Sequence, residues 1–295
     1  MTTLIALMMS LVLVACAAAP MADVKNDPPP QETEAPLHFV LDTVTLEDTA
    51  LAEDGTPLAS YHYELPELTV LRGDGEAVSE PENDREQQAL EIAETFNTRF
   101  EDWAAAEEDF QEVVGWAEEE LTWFRSEGLE WPGDSGTGGD RYTLELTCEA
   151  YQTDSLVSVS ATYYSNTGGA HPNIWLLSWN FDLTTGEFFS PELLAESGPA
   201  FLKAVEEELV RQSRLTAAEN DMTVGEFFWP DYTANLAEWS SYAVAFDAEG
   251  MSVSFSPYEL ASYAAGPQIF RVSYEWLEPY LGQRGRRVLG FPEAE

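Results

Sequence analysis

Positive charge is scarce in this chain. Lysine and arginine together supply 13 residues against 54 aspartates and glutamates, for a formal net charge of −41, and the lysines are Lys25 and Lys203 alone. A field of that sign repels phosphate backbones, which excludes nucleic acid as a partner and favours cationic ones. It also serves solubility, and the runs Glu107-Glu108-Asp109 and Glu118-Glu119-Glu120 read as solvated helix faces. Cysteine is rarer still. The 2 cysteines are Cys16, in an apolar leader, and Cys148; with Cys16 acylated there is no second thiol from which to build a disulfide. Cys148 sits in the strand-like run YTLELTCEAY and reads as a small buried hydrophobe. Histidine occurs 3 times, at His38, His62 and His171, without an HExxH pattern or a close His/Cys cluster. A catalytic zinc ion takes three protein ligands, so neither a metal site nor a cofactor is expected, and no residue is assigned a catalytic role.

Long apolar runs are confined to the leader MTTLIALMMSLVLVA, which carries no charge and is too short to span a bilayer comfortably. It reads as a signal-peptide core. It ends in Leu13-Val14-Ala15-Cys16, which looks like a bacterial lipobox, so residues 1–16 form a lipoprotein signal with Cys16 as the lipidation site. The chain is then expected on the extracytoplasmic side of a bacterial cell membrane, held there by an N-terminal lipid anchor. Cleavage without lipid, or a retained apolar N-terminus, are the alternatives. Residues 17–37, rich in Ala, Pro and acid, read as a flexible tether.

Past the tether the chain is dense in structure signals, and 44% hydrophobic residues are enough to fill a core. Residues 37–46 and 59–71 predict two strands around a turn at 52–57, with Pro66 at an edge or bulge. A helix starting at Ser79 or the Pro81-Glu82-Asn83 turn gathers Ile92, Phe96, Phe100, Trp103, Phe110, Val113 and Val114 on one core face. Gly115 is expected to kink or end it before Trp116 to Phe124 resumes the pattern. The Gly-rich loop 131–140 lacks the lysine of a phosphate cradle and reads as a linker. Strands are predicted at 141–147, 156–164 and 174–181, followed by an Asp182–Gly186 turn and a helical start at Ser190-Pro191. A second helix over 199–215 is expected to turn Leu202, Val205, Leu209 and Leu215 inward. A hairpin at 242–255, a helical turn at 257–266, a strand at 268–274 and a closing helix at 276–281 complete the pattern. Helices interleave with mainly antiparallel strands and no βαβ period repeats. The fold class is α+β, with two α/β sub-units at residues 38–130 and 141–282, each a mainly antiparallel sheet packed against helices. Residues 283–295 carry Arg284, Arg286 and Arg287, either as a frayed tail or as a counter-charge on the acidic body.

One stretch carries most of the chemical interest: Gly168-Gly169-Ala170-His171, followed by Pro172 and Asn173. The glycines admit positive φ or close strand approach, His171 can fix the loop through both ring nitrogens, and Pro172 pushes His171 toward extended backbone. A structural loop is the first reading. The second is a binding surface formed by Gly168, Gly169, Ala170, His171 and Asn173. Asn180, Asp182 and Gly186 read as turn formers, and Pro257, Tyr258, Glu259 and Gly266 as a structural motif with Tyr258 a buried anchor and Glu259 a capping carboxylate.

Leu156-Val157-Ser158-Val159, Tyr163, the Gly168–His171 loop, Asn180-Phe181-Asp182-Leu183-Thr184-Thr185-Gly186, Ser256 to Ala261 and Ala265-Gly266-Pro267 stand in an order that resembles DUF3298. That domain occurs in RsiV-like anti-sigma factors and PdaC-like peptidoglycan deacetylases. The Tyr63-Glu64-Leu65-Pro66 strand and the helix after it are similar to DUF4163, which usually precedes DUF3298. Together the resemblances cover residues 38–282. They imply an exported sensory pair, which in RsiV-like proteins recognises host lysozyme and triggers release of a sigma factor. Neither a sigma-binding segment nor the metal ligands of a deacetylase are found here. The expectation is a non-catalytic extracytoplasmic binding or sensory lipoprotein for a cationic protein such as lysozyme, or for peptidoglycan. The alternatives are an accessory role beside a membrane-protein partner in envelope assembly or stress signalling, and a cell-wall deacetylase or hydrolase.

Overall fold

Alternation of apolar and polar residues builds a long hairpin at the start of the described chain. Strand β1 (Leu37–Leu51) runs antiparallel to β2 (Pro57–Arg72), with Leu41 opposite Leu68 and Leu46 opposite Tyr63. The computed structural model describes residues 36–104, 107–132 and 142–292, and the side chains within it except those of 102–109. The leader with Cys16, the tether to residue 35, the Trp103 side chain and most of the Gly-rich loop lie outside the described residues.

Two amphipathic helices come next. Helix α1 (Asp84–Ala104) begins at Asn83, whose Oδ1 accepts the Glu86 amide at 3.0 Å, satisfying one of the donors that a helix start leaves open. It buries Phe96 and Phe100, and α2 (Glu107–Ser126) buries Phe110, Val113, Ala117 and Leu121. Gly115 does not break α2, which continues through it; a single glycine costs a helix only about 1 kcal/mol, and the packed face on either side holds the turn. Trp116 and Trp123 are exposed rather than in the core.

Strands β3 (Tyr142–Gln152), β4 (Leu156–Thr167), β5 (Asn173–Asp182) and the short β6 (Glu187–Phe188) complete a six-stranded sheet in the order β1-β2-β3-β4-β5-β6. Its one parallel junction sets Ser60–Tyr63 of β2 beside Thr143–Leu146 of β3. The sheet therefore runs through both stretches, 38–130 and 141–282, that carry separate sequence signals. Past Tyr63 the outer edge of β2 is free of β3, and α1 covers it: Asn97 accepts the Leu68 amide at 2.7 Å and donates to the Leu68 carbonyl at 3.0 Å. Pro66 lies in this free stretch, two residues from Leu68, so its missing N–H is one that no neighbouring strand needs.

Helix α3 (Gly198–Glu219) packs on a second sheet made of β7 (Ala243–Phe246), β8 (Gly250–Phe255) and β9 (Gln268–Ser273). Its buried stripe is Phe201, Val205, Leu209, Ser213 and Ala217, and Leu215 is exposed, contrary to the expected pattern. The short helices α4 (Val224–Phe227), α5 (Tyr232–Ala237), α6 (Tyr274–Leu277) and α7 (Gln283–Val288) close the edges of this core. Residues 283–288, read as a tail or a counter-charge, are folded: Val288 is fully buried and Arg287 donates to the buried Asp182 at 2.6 Å.

The two sheets meet through polar stitches. Asn180 of β5 donates to the Val244 carbonyl at 2.7 Å and accepts the Ser158 hydroxyl at 2.8 Å. Ser158 accepts the Phe246 amide and Ser178 the Val244 amide, both at 2.7 Å. Asn180 is thus a buried strand residue joining two sheets, not a turn former. Small side chains at 158 and 178 let β7 approach closely enough for its backbone to be satisfied by the other sheet. The architecture is α+β, a mixed six-stranded sheet and an antiparallel three-stranded one, each covered by helices.

Candidate functional site

The β4–β5 loop turns on Gly168, which has φ of +81°; a residue with a Cβ pays a steric penalty in that region. Gly169 has ordinary φ, and a Cβ there would touch only the His171 carbonyl at 3.7 Å, so the positive-φ role belongs to Gly168. Ala170 and Asn173 are exposed and His171 half-buried. The loop delivers His171 onto the segment after β8. There the imidazole stacks on Tyr263, with centroids 3.8 Å apart and planes 17° from parallel.

Both ring nitrogens are engaged. Nδ1 lies 3.0 Å from the Pro172 carbonyl, and Nε2 lies 3.0 Å from Oη of Tyr258. A carbonyl only accepts, so Nδ1 carries the proton and Nε2 accepts from the tyrosine hydroxyl. An imidazole tied in this way positions the loop, and among the described residues no serine, cysteine or carboxylate is a hydrogen-bond partner of it. Among the described residues no group of three or more His, Cys, Asp and Glu is placed to hold a metal ion.

Tyr258 is the unusual residue. Its φ is +76° and the residue is 54% exposed, so it is not a buried anchor. For a bulky side chain that backbone region is an outlier. The conformation is held from three sides: Trp229 Nε1 donates to the Tyr258 carbonyl at 3.1 Å, Asn235 donates to the Glu259 carbonyl, and the Glu259 carboxylate accepts the Ser256 amide. Glu259 is therefore the capping carboxylate expected; burial pushes its pKa up, opposed by that amide and the Ser256 side chain. Pro257 is buried beneath the turn, and Gly266, with φ of +71°, ends it. Ser256 also reaches β5, where its hydroxyl accepts the Leu176 amide at 3.0 Å. Beside Tyr258, Trp229 is 40% exposed. Together His171, Tyr258, Tyr263 and Trp229 make an aromatic ledge.

The remaining sequence candidates lie elsewhere. Asp182 is fully buried, accepting from Arg287 at 2.6 Å and from the Thr184 amide at 3.0 Å, with Arg284 Nε at 3.4 Å. Gly186, at φ of +70°, closes the turn through its amide to the Asp182 carbonyl at 2.8 Å. A cavity of about 800 Å³ opens beside Arg284, Arg286 and Arg287, whose charges are met by Asp182, Glu187 and Glu278. Sequence reasoning misses Trp229 and Tyr263. Tryptophan is usually core, and only the fold shows the Trp229 ring left at the surface.

The model of DUF3298, described as a protein of unknown function, matches residues 187–275. Those residues carry a DUF3298 domain. The domain supplies Trp229, Tyr258, Glu259 and Tyr263, and the Gly168–His171 loop precedes it in the chain. A crystal structure of a DUF3298 family member from Bacteroides fragilis is similar at 15% identity and a TM-score of 0.50, covering 86% of this chain and 97% of its own. A DUF3298 family protein from Pseudomonas aeruginosa is similar at 16% identity and a TM-score of 0.47, covering 88% of this chain and 99% of its own. At such identities the Bacteroides likeness shows the fold alone, and it extends well beyond the matched DUF3298 segment. No curated protein matches.

Proposed function

We propose that the chain is a non-catalytic recognition module, held by lipid at Cys16 on the outer side of a bacterial membrane, and that the ledge of His171, Tyr258, Tyr263 and Trp229 forms its ligand surface. The observation that carries this reading is Tyr258: an exposed aromatic kept at φ of +76° while its carbonyl accepts from Trp229 and its hydroxyl bonds His171. Folding alone would favour glycine there. Backbone strain supporting an exposed ring fits a contact made with something outside the chain.

Lysozyme-like cationic proteins are the partners we favour. A net charge of −41 speeds their encounter and complements their surface, and the DUF3298 and DUF4163 resemblances point the same way. Peptidoglycan is the second reading, because exposed Trp and Tyr rings suit stacking against sugar faces. Calorimetric titration with lysozyme at low and near-physiological salt tests the first reading. Saturable 1:1 binding at both salts supports it, whereas binding confined to low salt reduces it to charge attraction and absence of binding at both contradicts it. Titration with soluble peptidoglycan fragments tests the second.

A further inference from the structure

Strand β5 is the last long strand of its sheet, yet β6 covers only its end, pairing Phe181 with Phe188 and Asp182 with Glu187. From Asn173 to Asn180 the side away from β4 pairs its backbone with no strand among the described residues, and β7, which lies nearby, reaches β5 through the Ser178 and Asn180 side chains. The Leu176 amide goes to Ser256 and the Asn180 carbonyl accepts the Phe189 amide, so the even-numbered residues turn their backbone groups outward. The N–H and C=O of Ile174 and Ser178 and the C=O of Leu176 point the same way and make no hydrogen bond among the described residues. On β2 Asn97 meets both the N–H and the C=O of Leu68, whereas on β5 Ser256 meets the Leu176 N–H alone.

Two adjoining clefts, about 590 and 410 Å³, lie along this edge and share Arg99, Ser178, Trp179 and Tyr242 in their lining. Besides β5 itself, the larger cleft is lined by Arg99 from α1, by Ser241, Tyr242 and Ala243 before and at the start of β7, and by Ser256 and Glu259. Trp179 is held edge-on by Phe100 and Trp175 is stacked on Tyr163, so the aromatic wall is preformed. Arg99 is exposed and lies 5.9 Å over the Phe188 ring, without a carboxylate partner among the described residues. Glu259 lines the larger of the two clefts as well, but its carboxylate is engaged by the Ser256 amide; in a chain with 54 acids and 13 basic residues, the unpaired Arg99 is the charge left for an occupant to meet.

We infer that β5 receives an extended peptide segment of a partner as an added strand, with an acidic side chain toward Arg99, an apolar one toward Trp175 and Trp179, and small ones toward Ser241 and Tyr242. Backbone bonds to Ile174, Leu176 and Ser178 supply the affinity, and the walls supply the selection, as strand addition requires. The inference rests on the reading of the chain as a binding module and does not need lysozyme as the partner.

The test is selection of a random decapeptide display library on the full chain, followed by amide hydrogen exchange of the chain with the best synthetic decapeptide. Enriched peptides are expected to carry an acidic residue with an aromatic or aliphatic one two positions away. They should slow exchange of the Ile174 and Ser178 amides at least tenfold. Selection on the Arg99→Glu protein, a change at an exposed residue of α1, should replace the acidic residue by a basic one. Failure to enrich any peptide, enriched peptides that leave those two amides unprotected, or the same peptides emerging from Arg99→Glu would each overturn the inference. A negative lysozyme titration beside protected β5 amides would remove the lysozyme partner alone.

Discussion

Tyr258 combines a cost and an exposure that folding does not require. Replacing it by glycine removes the ring while relaxing the positive φ, a backbone region that costs most residues roughly 1–2 kcal/mol. Tyr258→Gly should therefore unfold within about 1 kcal/mol of the wild type in urea, losing recognition without losing the fold. Cys148 behaves oppositely. Burial, with the Glu64 charge nearby, pushes its thiol up to about 12, so almost no thiolate exists at neutral pH. Iodoacetamide at pH 8 should leave Cys148 unlabelled in the native chain and label it after denaturation, as mass spectrometry of the Cys148 peptide would read. Glu86 is held down to about 2 by the Arg72 guanidinium first and by the Glu82 amide. Its folded pKa lies below the ordinary value of 4.5, so its stabilisation is complete above that pH and is lost as pH falls toward the folded value. Glu86→Gln should flatten the loss of stability between pH 4.5 and 2, measured by urea unfolding across that window.

At the level of elements, strands are the most legible part of the sequence because period-two alternation is visible locally, and β1, β2, β4 and β5 lie where that pattern places them. The stripe of α3 is not. Its inner face ends in Ser213 and Ala217 rather than Leu215, since a helix near its neighbours can bury small residues, and Ser213 meets its own need by donating to the Leu209 carbonyl at 2.8 Å. Large apolar residues are the signal that periodicity weighs, so a stripe of small ones escapes it. Asn180 shows the same limit for the site: beside Asp182 and a Thr-Thr-Gly turn it reads as a turn residue, while its role depends on Val244, 64 positions away. Asn180→Ala would strand the Val244 carbonyl and the Ser158 hydroxyl, and a cost of about 2–3 kcal/mol is expected in chemical unfolding. Exchange of the Phe246 amide, which Ser158 accepts, should quicken in the same variant. The Gly168–His171 loop is recognisable by composition, but its docking on Tyr258 and Tyr263 joins residues that no local rule connects.

For the whole molecule, the parallel Ser60–Tyr63 to Thr143–Leu146 junction makes one sheet of two sequence stretches separated by two helices. Local patterns read each stretch well and do not report the pairing between them. Charge acts at this scale too. The −41 field is screened beyond about 8 Å at physiological ionic strength, so it can hasten the arrival of a cationic protein without holding it in place. Retention at that salt requires contacts of shorter range, which the proposed function assigns to the ledge. Calorimetric titration of lysozyme into the wild-type chain and into Tyr258→Gly at near-physiological salt is the most direct measurement. Recognition through the ledge predicts saturable 1:1 binding to the wild type and at least a tenfold loss in the variant, which corresponds to about 1.4 kcal/mol or more. Equal affinity for both, or no binding to the wild type, would contradict it.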